Sequence, residues 1–211
     1  MAPPPGMPVI DTSEFQSFHE REYAAFQENR DRFVCLIYRV IGELGLENQI
    51  EHLTVRGHTT GRAMLYRNLS DPWPSKRLNL DLYFDRFLDR KLLTHEFGHE
   101  ADRRDPSMLY DPEIEERWKE DYALEIVCNL SLDSRLGSRG LGKECRLIEF
   151  RKGFGDHLDS VFEVAWARPP ASWPEMEELA LKLRALSPLP NPTSRRRELP
   201  KRRRARPGKE N

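Results

Sequence analysis

Leu92-Leu93-Thr94-His95-Glu96-Phe97-Gly98-His99-Glu100-Ala101-Asp102 is the stretch on which the reading of this 211-residue chain turns. Residues four apart lie on one face of an α-helix, so in a helix the two imidazoles project side by side. Leu92, Leu93, Phe97 and Ala101 give the segment an apolar face, and Gly98 leaves space for close packing. The helix is predicted over 85–104, stopping before Asp105-Pro106 because a residue preceding proline avoids the α region. Two imidazoles so placed suit two nitrogen ligands on one Zn2+ at roughly 2.0–2.1 Å. Glu96 sits one step around the helix, near such a metal but not aimed at it. Zinc lowers the pKa of a bound water to about 7, and a neighbouring carboxylate can take its proton and pass it to a leaving amine. His95 and His99 are therefore read as metal ligands and Glu96 as a general base.

The flanking sequence supplies the frame. Immediately upstream, Leu78-Asn79-Leu80-Asp81-Leu82-Tyr83-Phe84 alternates strictly and reads as a strand with one apolar face. Further back, Phe33, Leu36, Ile37, Val40, Ile41 and Leu44 recur at helical spacing, predicting a long helix from Ser13 to Leu46 with Ser13 as its cap. Ile50–Arg56 and Arg62–Tyr66 read as short strands about a turn at 57–61. Downstream, Asp111-Pro112-Glu113 is a good helix start, and that helix is expected to run to Leu136, where Gly137, Gly140 and Gly142 follow. Helices over 143–152, 157–167 and 174–186 complete the pattern. The fold class is α+β: a long N-terminal helix, a small and mostly antiparallel sheet, the HExxH helix and further helices.

Residues 1–12 read as a flexible proline-rich lead-in without the features of a secretory signal, 13–187 as one domain, and 188–211 as a disordered basic tail. The net charge of −1 divides into +7 for residues 195–211 and −8 for the remainder. The basic run 195–206 contains no aromatic residue, so any contact with nucleic acid would be electrostatic and salt-sensitive. No apolar run reaches the length of a membrane-spanning helix. Cys35, Cys128 and Cys145 are odd in number and widely spaced, which suits reduced thiols in the cytoplasm. His19, His52, His58 and His157 are isolated and read as surface or structural residues.

The stretch Leu92–Asp102, with its order of strand, motif helix and second helix, resembles the zincin metallopeptidases. Glu100 departs from the pattern, since zincins usually carry an uncharged residue after the second histidine. The resemblance implies a zinc-dependent peptide or protein hydrolase, with Leu78–Phe84 as the cleft edge along which an extended substrate pairs. It also implies a third protein ligand that leaves one position open. In the metzincin branch the ligand would fall at Asp105, but Asp102 stands where that branch has glycine and Pro106 follows at once. In the gluzincin branch it is an acid on the second helix, often with another acid four residues on that orients a histidine. Glu125, Asn129 and Asp133 share one face of that helix. A similarity over Leu92–Leu141 to uncharacterised bacterial zincin-like proteins favours Asp133, which is taken as the third ligand. Asp102 is placed to accept a ring N–H from a ligating histidine. Two rival readings are a catalytically silent zincin-like adaptor or regulator, and a nucleic-acid-associated protein acting through its tail.

Overall fold

The protein is described from a computed structural model covering residues 3–15, 20–58, 63–67, 73–83, 85–117 and 122–187. Its elements are β1 (Val9–Asp11), α1 (Glu20–Glu43), β2 (His52–His58), β3 (Met64–Tyr66), β4 (Arg77–Tyr83), α2 (Arg90–Arg104), α3 (Pro112–Arg117), α4 (Tyr122–Leu136), α5 (Lys143–Phe154), α6 (Asp159–Ala167) and α7 (Trp173–Leu186). The α+β class is as expected, and the elements divide between two apolar cores.

The first core lies between α1, the sheet and α2. Phe26, Phe33, Ile37, Val40 and Ile41 on α1 are fully buried at the predicted three- and four-residue spacing. Phe15, Phe26, Phe33 and Phe87 pack in tilted and edge-to-face contacts, with centroids 4.1 Å apart for the closest pair. Each such burial contributes roughly 1.5–3 kcal/mol. The helix begins later than expected. Ser13 does not cap it but sits in a turn where its amide donates to Asp11 Oδ1 at 2.8 Å, and residues 16–19 lie outside the described set.

The sheet corrects two expectations. Its order is β1-β2-β4-β3, with β1–β2 and β2–β4 parallel and only β3–β4 antiparallel, so it is mixed rather than mostly antiparallel. The predicted turn at 57–61, most of which lies outside the described residues, suggested that the chain folds straight back from β2 to β3. Instead β4 inserts between them, and α1 provides the long crossover that a parallel β1–β2 pair needs. The first twelve residues, expected to be a flexible lead-in, include the edge strand β1. Val9, Ile10 and Asp11 pair there with His52, Leu53 and Thr54.

The second core is helical. The segment expected as one helix from Pro112 to Leu136 is described as α3 and α4, with 118–121 outside the described residues. Eleven of the fifteen residues of α4 are buried, because α2, α5, α6 and α7 all pack on it. The two cores meet along α2 and α4. A Cβ on Gly98 would lie 2.9 Å from Leu132 Cδ1, so the glycine permits the helices to approach this closely. Among the described residues no helix is long and apolar enough to cross a membrane. The tail 188–211 lies outside them.

Candidate metal centre

Helix α2 begins where Asp89, in extended conformation, accepts the Leu92 amide at 3.0 Å, which satisfies one of the otherwise unpaired N–H groups of the first turn. It ends at Asp105, before the proline. Between these limits His95 and His99 face the same way. Their rings lie with centroids 4.7 Å apart, nearly perpendicular, and their Nε2 atoms are 3.2 Å apart. Two nitrogens at roughly 2.0–2.1 Å from one cation span such a distance at an angle of about 100°, close to tetrahedral. The pair therefore fits a shared metal ion.

Asp133 is in the site, but in a different position from the one expected. Its Oδ1 lies 3.1 Å from His95 Nδ1, on the opposite side of the ring from the converging Nε2 atoms. The carboxylate is completely buried. Burial pushes its pKa upward, but His95, Arg146 and the Leu141 amide outweigh this and hold it below the usual carboxylate range. An ionised acceptor at Nδ1 keeps the ring proton there and leaves the Nε2 lone pair free, so Asp133 orients His95 rather than joining it as a donor. Gly140 makes room for this contact, since a Cβ there would lie 2.4 Å from Asp133 Oδ1. Arg146 Nε approaches Asp133 Oδ2 at 2.6 Å as an ion pair without hydrogen-bond alignment.

The group beside the imidazoles is Asn129, one turn before Asp133. Its Oδ1 lies 2.9 Å from His99 Nε2, while its Nδ2 donates toward the two Glu149 oxygens at 3.3 and 3.2 Å. Glu149 also accepts from Tyr122 Oη at 2.9 Å and pairs with Arg146. Burial, reinforced by the neighbouring His95 ring and the Arg103 guanidinium, lowers the His99 pKa well below its ordinary value and so favours the neutral form, the one that binds metal. Among the described residues no group of three or more His, Cys, Asp and Glu side chains is arranged to hold a metal ion.

The other candidates are placed elsewhere. Glu125 is solvent-exposed. Asp102 does not meet a histidine; its two oxygens take Arg135 Nη1 and Nη2 at 2.8 and 2.5 Å. Asp105 caps the following turn by accepting the Ser107 amide at 2.8 Å. Glu100 is buried and its charge is matched by Arg104, whose guanidinium also reaches the Gln49 and Ser75 carbonyls. That pairing accounts for a charged residue after His99.

Glu96 points to the sheet, where the Leu65 amide donates to its Oε2 at 3.2 Å. Burial raises its pKa to about 7, against the opposing pull of His95, the Leu65 amide and nearby arginines. A carboxylate so tuned can both accept and return a proton near neutral pH. Leu65 belongs to β3, the last strand of the sheet. β4, expected to form the cleft edge, has a partner on each side, so the edge beside the motif helix is β3.

Glu149 and Arg146 were not legible as site residues. They belong to a segment containing Lys143, Glu144, Arg151 and Lys152, whose charge pattern reads as a solvated face. Comparison with known proteins finds no matching family model, no matching curated protein and no matching solved structure.

Proposed function

We propose that the chain is a zinc-dependent hydrolase of the HExxH type that cleaves peptide or protein bonds. The observation that carries this reading is the 3.2 Å approach of His95 Nε2 to His99 Nε2, with Glu96 on the same helix turn. A zinc ion supplies Lewis acidity that makes water ionise near neutral pH and polarises a carbonyl. His95 and His99 would hold the ion, and Asp133 at Nδ1 leaves the His95 Nε2 lone pair free for it. Glu96 accepts a proton from the attacking water and gives it to the departing amine as the C–N bond breaks. An extended substrate is proposed to lie along β3, next to Glu96. A cytoplasmic location is proposed with it, supported by Cys35, Cys128 and Cys145, none of which is in a disulfide.

A second reading, a metal-binding adaptor without turnover, is favoured by one observation: the polar atom nearest the histidine pair is the neutral oxygen of Asn129, where the resemblance implies an acid.

Metal analysis and peptide-library cleavage separate the two. Glu96→Ala is expected to retain stoichiometric zinc and to lose about 10²–10⁴-fold in turnover, and His99→Ala to lose both metal and turnover. Zinc-loaded protein that cleaves no member of the library would favour the adaptor, and undiminished cleavage by Glu96→Ala would rule out the base.

A further inference from the structure

The two ends of the Asn129 side chain are chemical opposites: the amide oxygen offers lone pairs, whereas the NH2 group only donates and would repel a cation. What surrounds the amide decides which end faces the imidazoles. On one side is Glu149, an acceptor-only group when ionised, with both oxygens within 3.3 Å of Nδ2. That side can take only the NH2 group, and Oδ1 is left facing His99 Nε2 at 2.9 Å.

Glu149 is itself held. Tyr122 donates to it, and so does Arg146, which is 5% exposed. The same guanidinium reaches Asp133, the carboxylate behind His95. One buried cation thus fixes two carboxylates, one behind an imidazole and the other behind an amide. A buried arginine is costly unless it is paired, and here both of its partners bear on groups that face the metal site.

We propose that Asn129 Oδ1 is the third protein donor to the metal, and that Glu149 is the positioning residue that keeps this oxygen, rather than the nitrogen, turned inward. The inference rests on the metal reading above. It assigns the centre three neutral donors, His95, His99 and Asn129. A neutral set leaves the full charge on the divalent cation, and binding is weaker than a carboxylate-containing set would give, because affinity follows ligand charge.

The test measures Zn2+ affinity of the full chain by chelator competition, and the visible absorption of its Co2+ form, with thermal unfolding of the metal-free proteins as a check on folding. Asn129→Leu should weaken Zn2+ binding by at least roughly tenfold and alter the Co2+ spectrum. Glu149→Gln should cost roughly 10–100-fold, because glutamine can offer its own NH2 to Oδ1 and let the amide turn. The double variant Asn129→Asp/Glu149→Gln should bind at least as tightly as the unmodified chain. There one oxygen of the new carboxylate faces the cation while the introduced glutamine donates to the other, a recovery that a purely structural role for Glu149 would not produce. Tyr122→Phe, which alters no charge, gives the same direction with a smaller loss should Glu149→Gln fail to fold. Unchanged affinity in Asn129→Leu, with binding abolished in His95→Ala, would overturn the donor assignment alone. Failure of the double variant to recover would overturn the role of Glu149. An unmodified chain that takes up neither Zn2+ nor Co2+ would remove the metal reading and this inference together.

Discussion

The two cores contribute unlike things to one site. The core of α1, the sheet and α2 supplies the groups that would act: His95, Glu96 and His99 on one helix, with Leu65 at the sheet edge. The helical core supplies the groups that aim them: Asp133 and Asn129 from α4, Arg146 and Glu149 from α5. On the proposed reading, reactivity would be encoded within little more than a single helical turn, whereas orientation depends on two separately packed bodies being docked. The difference teaches that a short motif defines chemistry only as far as its own helix reaches.

The contrast can be broken most severely at Asp133. Asp133→Asn leaves Arg146 buried beside a neutral group and takes the ionised acceptor from His95. Because Glu149 still pairs with Arg146, the cost is about 3 kcal/mol, the lower end for a broken buried ion pair, read as a lower midpoint in urea unfolding, with weaker zinc binding. If stability were unchanged, the seam would not depend on that charge. Gly98→Ala attacks the apolar part of the same seam, because the new methyl meets Leu132 at 2.9 Å. A loss of about 1–3 kcal/mol is expected; Leu132→Ala relieves that clash while opening a cavity of its own, so the double variant should lose less than the sum of the two, and losses that simply add would place the strain elsewhere. The smallest effect should come from Asp89→Ala, which removes the cap of α2 and a partly exposed ion pair with Arg86 that adds little, and costs about 1 kcal/mol. It lies wholly within the first half, so metal affinity should stay within a few-fold of the unmodified chain.

What was legible in the sequence follows the same division. The spacing of His95 and His99, the end of α2 at Asp105, the apolar face of β4 and the repeat along α1 are all local patterns, and each reappears in the structure. Features that depend on distant partners were read less well. β1 is too short to show a period, and its pairing with β2 depends on α1 returning the chain. The insertion of β4 between β2 and β3 is a choice of topology that no local turn signal reports. Asp133 was singled out by the resemblance, and an unpaired carboxylate in an apolar run is costly in any case. That cost implies a partner without saying which one, and in the structure Asp133 Oδ1 lies against His95 Nδ1. Glu149 and Arg146 look like ordinary helix-surface charges until α5 is laid on α4.

The tie between Arg146 and both carboxylates also bears on the order of events during synthesis. His95 and His99 leave the ribosome well before Arg146 and Glu149 do. A nascent chain therefore carries the two imidazoles without the groups that orient them for as long as α5 is still to be made. The arrangement of Asp133 and Asn129 against the histidines is complete only once α5 has settled against α4, so on the proposed metal reading uptake of the ion would be late and coupled to completion of the helical half.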